Sequence, residues 1–412
     1  MKGKIFVCRM ASTLLALVIS PLNGAAQGRG GYTVYNLGTT GGSQSAAISI
    51  NNPRWISGFS ALAGNQTTNA VLWRNGQPMN LDTLGGPNST LAWPNHDPDA
   101  VVGISETAVT DPLGEAWSCA AFMPTTGKIC LGFFWQNNVM HALPTLGGYN
   151  GYAAGANNRD QVVGWAETTY HDPTCVPPQV LQFQAVLWEP NRGRKTVLPP
   201  LPGDPDSAAT AINNRGVAVG ISGICENAVG DQSAEHAVVW QNGQPIDIGN
   251  IGGNAWNTPT AINDRGVVVG FAEVPDGNLH AFVWTSRGGM RDLGTLPGDT
   301  TSYAYALNEQ GQIVGQSIGQ NGSRAVIWEN GHIADISAVA GGSLTLLYGN
   351  GIDDRGRIVG QAYDSSTGDS PAFLAVPNGH HAPDNPNNPD TSFLPQTVWD
   401  MLKSAPGLAP IR

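Results

Sequence analysis

Short apolar runs separated by polar turns fill most of this chain, and one ten-residue form of the pattern recurs. It reads AINDRGVVVG at 261–270, and related copies stand at 211–220, 306–315 and 351–360. Asn263 suits the first position of a type I turn. Gly266 suits the position after the turn, which needs a positive φ. The stretch therefore predicts a hairpin with a G1-type bulge. Its VVVG run predicts a short strand buried on both faces.

Two further segments complete a repeating unit. HAFVW at 280–284 predicts a third strand, and its counterparts end at Trp73, Trp135, Trp188, Trp240 and Trp328. MRDLGTLPGD at 290–299 follows it and predicts a fourth strand. Each unit thus carries four short antiparallel strands, here named A to D. A period of about 45 residues with four strands is typical of a propeller blade.

The number of units follows from the glycine that ends strand B. It occurs at Gly58, Gly103, Gly164, Gly220, Gly270, Gly315 and Gly360. The seventh unit lacks strand D, whereas YTVYNLGTTGG at 32–42 is a D-type segment with no strands A to C before it. The sequence therefore predicts an all-β, seven-bladed β-propeller of four-stranded antiparallel blades over residues 32–377. The N-terminal strand pairs with the last repeat and closes the ring, which removes two unpaired edges.

The two ends of the chain do not follow the repeat. Lys2, Lys4 and Arg9 precede or enter an apolar run that leads to small residues near Ala26, so 1–26 is predicted to be a secretory signal peptide. We expect a secreted or periplasmic protein with no membrane span. Residues 378–412 are rich in Pro and Asn, which predicts a flexible tail with a short helix at TVWDMLKSA.

Charge and cysteine content narrow the class of partner. The chain has 20 basic and 31 acidic residues, a formal net charge of −11 at pH 7, which argues against a nucleic-acid partner. Beyond the signal peptide, four cysteines remain and allow three disulfide pairings. Cys175 and Cys225 fall in B–C loops of neighbouring blades, and Cys119 and Cys130 bracket an insertion, so we expect those two pairs. None has a metal-binding or redox spacing.

The B–C loops vary most, above all in blades two to four, so a binding site is expected on the face of the B–C and D–A connections. Four residues of these connections are candidate ligand-binding residues: Trp93, Trp117, Trp256 and Asp231. Each tryptophan offers a flat surface for a sugar ring, and the simpler interpretation is a buried anchor of its loop.

Catalytic candidates are sparse. Glu115, His171, Asp172 and Glu226 lie in neighbouring loops and would suit acid/base chemistry or Ca²⁺ if they met in one cleft. The simpler interpretation is a solvated acidic surface. No ligand spacing supports a metal, so no cofactor is expected, and Ca²⁺ is the alternative.

Several copies of the repeat carry a family resemblance. HAFVW, DLGTLPGD and AINDRGVVVG resemble the HAF family of extracellular repeats, named for its His-Ala-Phe core, over nearly all of 32–377. The literal His-Ala-Phe occurs at 280–282 alone. The resemblance implies an exported repeat protein and brings no catalytic residues with it.

Two functions are compatible with these features. The first is a secreted, monomeric, non-enzymatic propeller that binds a glycan or an extracellular protein through its variable loop face. The alternative is a carbohydrate-active hydrolase or lyase on the same scaffold, which would need two convergent carboxylates, or a His or Tyr base near a cation.

Overall fold

A computed structural model describes residues 31–378, except for 52–54, 75, 92–99, 116, 231–232, 254–255, 321 and 338–341. Seven four-stranded antiparallel sheets form a seven-bladed β-propeller, which confirms the predicted fold. The predicted signal peptide and the predicted tail beyond Asn378 lie outside the described residues. No helix in the described part of the chain is long and apolar enough to cross a membrane.

Blades one to four follow one another along the chain. Blade one contains β2 (Gly41–Asn51), β3 (Trp55–Leu62), β4 (Thr68–Arg74) and β5 (Gln77–Asn80). Blade two contains β6 (Gly85–Thr90), β7 (Val101–Thr110), β8 (Lys128–Gln136) and β9 (Val139–Ala142). Blade three contains β10 (Gly151–Ala156), β11 (Val162–His171), β12 (Leu181–Glu189) and β13 (Arg194–Leu198). Blade four contains β14 (Asp206–Ile212), β15 (Ala218–Gly223), β16 (His236–Gln241) and β17 (Gln244–Asp247).

The last three blades include the closure of the ring. Blade five contains β18 (Asn257–Ile262), β19 (Val268–Glu273), β20 (Leu279–Thr285) and β21 (Gly289–Asp292). Blade six contains β22 (Asp299–Leu307), β23 (Ile313–Gly319), β24 (Gly322–Glu329) and β25 (His332–Asp335). Blade seven contains β26 (Leu344–Ile352), β27 (Ile358–Asp364), β28 (Ala372–Pro377) and β1 (Tyr32–Gly38). Two short α-helices, α1 (Trp117–Ala120) and α2 (Cys225–Gly230), and a 3₁₀ turn at Pro190–Arg192 lie in connections.

The ring closes through the N-terminal strand, as predicted. β1 pairs antiparallel with β28, from Tyr32 opposite Pro377 to Gly38 opposite Ala372. Across the same seam, the Asn350 side-chain amide donates to the carbonyl of Ala47 in blade one, at 3.0 Å. The first and last parts of the propeller are therefore held together both by a sheet ladder and by a contact between inner strands.

The repeated glycine of strand B has a steric cause. In the six blades other than blade two, strand A has a register shift facing this glycine, for example between Pro259 and Ala261 in β18. A Cβ on Gly270 would lie 2.1 Å from the carbonyl oxygen of Thr258, and in all seven blades the corresponding distance is between 1.8 and 2.2 Å. Any side chain would displace strand A, so the position accepts glycine alone.

The asparagine of the A–B hairpin holds its own turn and also reaches the next blade. The Asn263 Oδ1 atom accepts from the backbone N–H groups of Arg265 (3.1 Å) and Val267 (3.0 Å), while Gly266 has φ +77°. Its Nδ2 atom donates to the carbonyl of Asn308 in blade six at 3.2 Å. The turn prediction is confirmed, and the contact between blades is an additional finding.

This contact repeats around the ring. Side-chain amides donate to the next blade's hairpin carbonyl from blade three to blade seven, in the pairs Asn157 to Asn213, Asn213 to Asn263, Asn263 to Asn308 and Asn308 to Asp353. We call these five residues the asparagine belt, although its last member is an aspartate. The belt explains why the hairpin sequence is repeated: each copy must satisfy its own turn and its neighbour.

The tryptophan of strand C packs between blades, as its position in the repeat indicates. Trp73, Trp188 and Trp240 are 2% exposed or less. The indole N–H of Trp240 donates to the carbonyl of Pro199 in blade three at 2.7 Å. Trp73 and Trp188 make the same bond to the blade before them, at 2.9 Å each. Each ring therefore fills the interface and bonds across it.

Substitution of Gly270 by Ala should lower the free energy of unfolding by about 3 kcal/mol, because the methyl group overlaps a carbonyl oxygen of a packed inner strand. Gly277→Ala is the matched control: its φ is +84° but its Cβ would meet no atom within 4 Å, so it should cost only about 1 kcal/mol. Urea unfolding of both variants gives the comparison. Equal losses would contradict the steric explanation.

Asn263→Asp should separate the two roles of the belt. Aspartate keeps the acceptor for the turn but loses the donor to Asn308, so we expect a loss of about 1–3 kcal/mol in the free energy of unfolding. Asn263→Ala loses both roles and should cost more. If Asn263→Asp unfolds at the wild-type urea concentration, the contact between blades contributes nothing measurable.

Candidate ligand-binding site

Both predicted disulfides are present, and they lie among the variable loops. Cys119 and Cys130 have Cα atoms 6.1 Å apart and join α1 to β8 within blade two. Cys175 and Cys225 have Cα atoms 4.7 Å apart and connect the B–C loops of blades three and four. The Thr174 hydroxyl also accepts from the Cys225 N–H at 3.1 Å. The loops of these blades are thereby fixed over the propeller's B–C/D–A face.

An aromatic pocket opens beside these loops. It has a volume of about 250 Å³ and is bounded by inner-strand residues and loops of blades two to six. Seven aromatic side chains line it, and we call them the aromatic mouth: Phe122, Tyr152, Trp165, Phe183, Trp256, Phe271 and Tyr303. Of the remaining lining residues, Thr210 and Thr258 are polar. A mostly apolar concave site of this kind on a rigid scaffold is a default candidate for ligand binding.

The rings of the aromatic mouth stand at different angles around the cavity. Phe122 stacks on Tyr152 with centroids 4.7 Å apart and planes at 18°. Trp165 and Phe183 are 5.5 Å apart at 58°. Tyr152, Trp165 and Phe183 are buried, whereas Phe122 is half-buried. The mouth therefore has a buried floor on the side of blade three.

The opposite wall comes from blades five and six. Phe271 meets Tyr303 edge to face, with centroids 4.9 Å apart and planes at 68°. Tyr303 and Trp256 are half-buried, so they form an accessible rim. Burial raises the pKa of Tyr303, so its phenol stays neutral through the physiological range. The rings of the aromatic mouth are thus uncharged both at its buried floor and at its accessible rim.

The two threonine side chains of the pocket already have hydrogen-bond partners. The Thr210 hydroxyl donates to the Pro259 carbonyl at 2.7 Å. The Thr258 hydroxyl donates to the Ser233 hydroxyl at 2.7 Å. Both donors are therefore occupied, and a ligand meets mainly apolar and aromatic surface.

Most of the aromatic mouth occupies two positions of the repeat that change from blade to blade. One lies in strand A, opposite the residue that follows the strand B glycine, and holds Tyr152 and Tyr303 in blades three and six but Ala208 in blade four. The other directly follows that glycine and holds Trp165 and Phe271 in blades three and five. Sequence reasoning missed these four residues because it treated strand positions as scaffold. Variation within an otherwise regular repeat was the available signal.

Six buried carboxyl groups lie behind the variable loops in blades two to four. We call them the acidic layer: Glu106, Asp111, Glu115, Glu167, Asp172 and Asp206, each 6% exposed or less. Their hydrogen bonds within the described structure come from backbone N–H, amide, hydroxyl or carboxyl groups, with no Lys or Arg among the donors. The hydrogen bonds that stabilise negative charge in this layer therefore come from dipoles.

The acidic layer adjoins the aromatic mouth along the strands. The Asp206 Oδ1 atom accepts from the backbone N–H of Phe183 at 2.9 Å. Glu167 lies two residues beyond Trp165 in β11, on the same side of the strand. Its Oε2 atom accepts from the backbone of Asn150 at 2.7 Å, two residues before Tyr152. Phe183 thus donates directly to a carboxyl group of the layer. Trp165 lies two residues from Glu167, and Tyr152 lies two residues from a hydrogen-bond partner of Glu167.

Burial shifts the acid–base behaviour of this layer. Desolvation raises the pKa of Glu167 to about 7, and the neighbouring Glu115 adds to the shift. Desolvation also raises the pKa of Asp206 to about 8, with a further contribution from its hydrogen bond to Asp172. Asp172 and Asp206 each have one buried oxygen without a donor, so a single shared proton satisfies the pair.

The predicted ligand-binding residues have different outcomes. Trp256 lines the aromatic mouth. Trp93 and Asp231 lie outside the described residues, and so does the side chain of Trp117, whose backbone begins α1.

The four catalytic candidates do not line the mouth. The Glu115 Oε1 atom is buried and accepts from the backbone of Val180 and Leu181 at 2.8 and 2.6 Å. Asp172 is buried against Asp206, whereas His171 and Glu226 are exposed. In the described part of the chain, no three His, Cys, Asp or Glu residues form a group that could hold a metal ion.

A larger cleft of about 630 Å³ lies between the outer strands of blades two and three. Residues of the C–D turns and of β9 and β13, including His141, Arg194 and Lys195, line it. It is lined mainly by strands C and D at the rim of the propeller, whereas the aromatic mouth is lined by strands A to C and by variable loops. The aromatic mouth is therefore the stronger candidate site.

No protein-family model and no curated protein matches this sequence. Solved structures resemble the fold distantly. Acylaminoacyl peptidase from Pyrococcus horikoshii is 11% identical with a TM-score of 0.42, covering 82% of this chain and 52% of that one. Dipeptidyl peptidase 4 from Porphyromonas gingivalis is 10% identical with a TM-score of 0.38, covering 74% and 48%. Trypanosoma rangeli sialidase is 11% identical with a TM-score of 0.37, covering 85% and 57%. The chain thus spans about half the length of these proteins.

The stability of the protein should fall as the pH rises from about 4 to about 8. A raised pKa means that folded Asp206 keeps its proton where the unfolded side chain, with its ordinary pKa of 3.8, has lost it. Its contribution is therefore complete below pH 4 and lost through pH 8. Asp206→Asn supplies a neutral partner for Asp172 at every pH, so it should be more stable than the wild type at pH 9 and show a shallower decline.

Urea midpoints at pH 5, 7 and 9 measure this effect. Some decline should persist in Asp206→Asn because Glu167 titrates in the same range. Glu226→Gln, an exposed change on the same face, should leave the wild-type pH profile intact. A parallel profile for wild type and Asp206→Asn would show that Asp206 does not hold its proton in the folded state.

Proposed function

We propose that the protein is an exported, non-enzymatic binding propeller whose ligand inserts a compact group into the aromatic mouth. The observation that carries the proposal is the convergence of seven aromatic side chains on one cavity of about 250 Å³. A cavity of this size, below the range of about 300–1,000 Å³ for whole drug-sized ligands, accommodates one ring or head group of a larger ligand.

The scaffold supports binding rather than movement. The asparagine belt, the inter-blade tryptophans and the Cys175–Cys225 disulfide hold the walls of the mouth in place. A preorganised cavity loses little conformational freedom when a ligand enters, which favours affinity. The two disulfides and the resemblance to the HAF repeats support export, because disulfides persist in oxidising compartments.

The partner remains a glycan or a protein, and the lining distinguishes what each would present. A sugar ring would use the faces of Trp256 and Tyr303, with most of its hydroxyl groups directed to solvent. A protein would present an apolar or aromatic side chain. Because aromatic and apolar groups make up most of the lining, the group that enters is expected to be poor in hydroxyls.

Binding should depend on Trp256. Ligand-observed NMR with a library of single-ring compounds, together with a glycan array, would supply the probes. Hits in the mouth should compete with one another and should bind Trp256→Ala at least about fivefold more weakly, because a stacked ring contributes about 1 kcal/mol or more.

Tyr170→Leu serves as the control, since Tyr170 is 57% exposed on blade three and does not line the mouth. Probes that bind Trp256→Ala as well as the wild type would place the site elsewhere. A product assay on each glycan hit tests the enzymatic alternative, and turnover that disappears in Glu115→Gln would overturn the non-enzymatic proposal.

A further inference from the structure

The aromatic mouth combines two properties that a neutral ligand would not need. Its walls are aromatic rings, whose faces carry partial negative charge, and two carboxyl groups of the acidic layer, those of Asp206 and Glu167, lie next to lining residues. No Lys, Arg or His stands among the described residues that line it. Once Glu167 and Asp206 are ionised, the site is electronegative as well as apolar.

We propose that the group which enters the aromatic mouth is an organic cation of the quaternary ammonium type, held by cation–π contacts and by the field of the acidic layer. This inference rests on the proposed function and specifies the class of its ligand. Rings of Trp, Tyr and Phe that surround a cavity attract a cation whose centre lies within about 6 Å of their centroids.

The arrangement of the rings suits a roughly spherical group. Phe122 and Tyr152 stack on one side, while Phe271 meets Tyr303 at 68° on another, and Trp256 lies at the rim. A flat ligand would require two parallel walls, whereas walls at several angles enclose a tetrahedral head group. The cavity of about 250 Å³ admits a compact group of that kind.

The mainly apolar and aromatic lining of the pocket favours a quaternary ammonium group over a primary ammonium group or a metal ion. A primary ammonium group carries three N–H donors that lose their water on entry and need acceptors. The pocket offers mainly aromatic and apolar surface to such a group. A quaternary ammonium has no N–H group, so it enters without leaving a donor unsatisfied. A metal ion such as Ca²⁺ is bound mainly through carboxylates, and the described lining contains no Asp or Glu.

The carboxyl groups of the acidic layer would act on a bound cation at a distance, because they do not line the cavity. Asp206 accepts from the backbone of Phe183, and Glu167 follows Trp165 by two residues, so both carboxyl groups stand behind lining rings rather than in the cavity. One oxygen of Asp206 and one of Glu115 are buried without a donor. A cation in the mouth would stabilise the ionised form of these groups, and they in turn would stabilise the cation.

Choline and its neutral isostere 3,3-dimethylbutan-1-ol test the inference, since they have nearly the same shape and differ in charge. Isothermal titration calorimetry of the full chain at pH 9, where Glu167 and Asp206 ionise most readily, should show choline binding at least about tenfold more tightly. Trp256→Leu and Tyr303→Leu keep an apolar lining but lose a π-face, and each should weaken choline binding by several-fold without affecting the alcohol equally.

Asp206→Asn removes one carboxyl group of the acidic layer and keeps every ring of the aromatic mouth. It should weaken choline binding at pH 9 at least about twofold and leave the alcohol unchanged. Tyr170→Leu is again the surface control, and circular dichroism verifies that each variant is folded.

Equal affinity for choline and the alcohol would overturn the inference while the proposed binding function stands. The inference also fails alone if choline does not bind but a neutral ring compound does and depends on Trp256. If no cation, ring compound or glycan binds in a Trp256-dependent manner, the proposed function fails together with the inference.

Discussion

Hydrogen bonds between blades are the constraint on which this molecule depends. A propeller blade satisfies its own backbone within four strands, so nothing in its ladder joins it to the next blade. The asparagine belt supplies that connection on the inner face of the A–B hairpins, and the strand C tryptophans supply it near the outside. Thr260, whose hydroxyl donates to the Ala304 carbonyl at 2.8 Å, adds a bond between inner strands. The interfaces are therefore specified by polar contacts as well as by packing.

A scaffold fixed in this way leaves its opposite face free to vary. The A–B hairpins cannot change without breaking two sets of bonds, and the B–C loops are under no such requirement. Insertions in blades two to four bring Phe122 and two disulfides to the rim. The acidic layer lies under the same loops, where the scaffold is covered most deeply. The uniform A–B hairpins on one face and the variable loops with the candidate site on the other are thus consequences of the same bonding pattern.

The sequence was sufficient for the architecture because the architecture is periodic. Gly270, Asn263 and the orphan D-type segment at 32–42 each recur or complete a repeat, and each has the role that its position indicated. The two disulfides also followed from loop positions. Trp256 was found because it stands in a connection, where a large ring is conspicuous.

The other residues of the site could not be predicted from the repeat. Tyr152 and Trp165 occupy strand positions that pack into a core in other blades, and which positions border a cavity depends on how seven blades are arranged in space. Asp206 belongs to the PGDPD stretch, whose polar character is typical of an exposed turn. Asp206 is buried and hydrogen-bonded to Asp172 in the B–C loop of blade three, a contact between units that no single repeat encodes.

The closure of the ring sets an order of events during synthesis. β1 is the first strand of the propeller to be made, yet its partner β28 is the last, 334 positions away at Gly38 and Ala372. Until that final strand arrives, β1 has an unsatisfied edge, and blade one lacks the neighbour that Asn350 provides. Contacts of such long sequence separation form slowly. The ring can therefore close only after the last blade has been made.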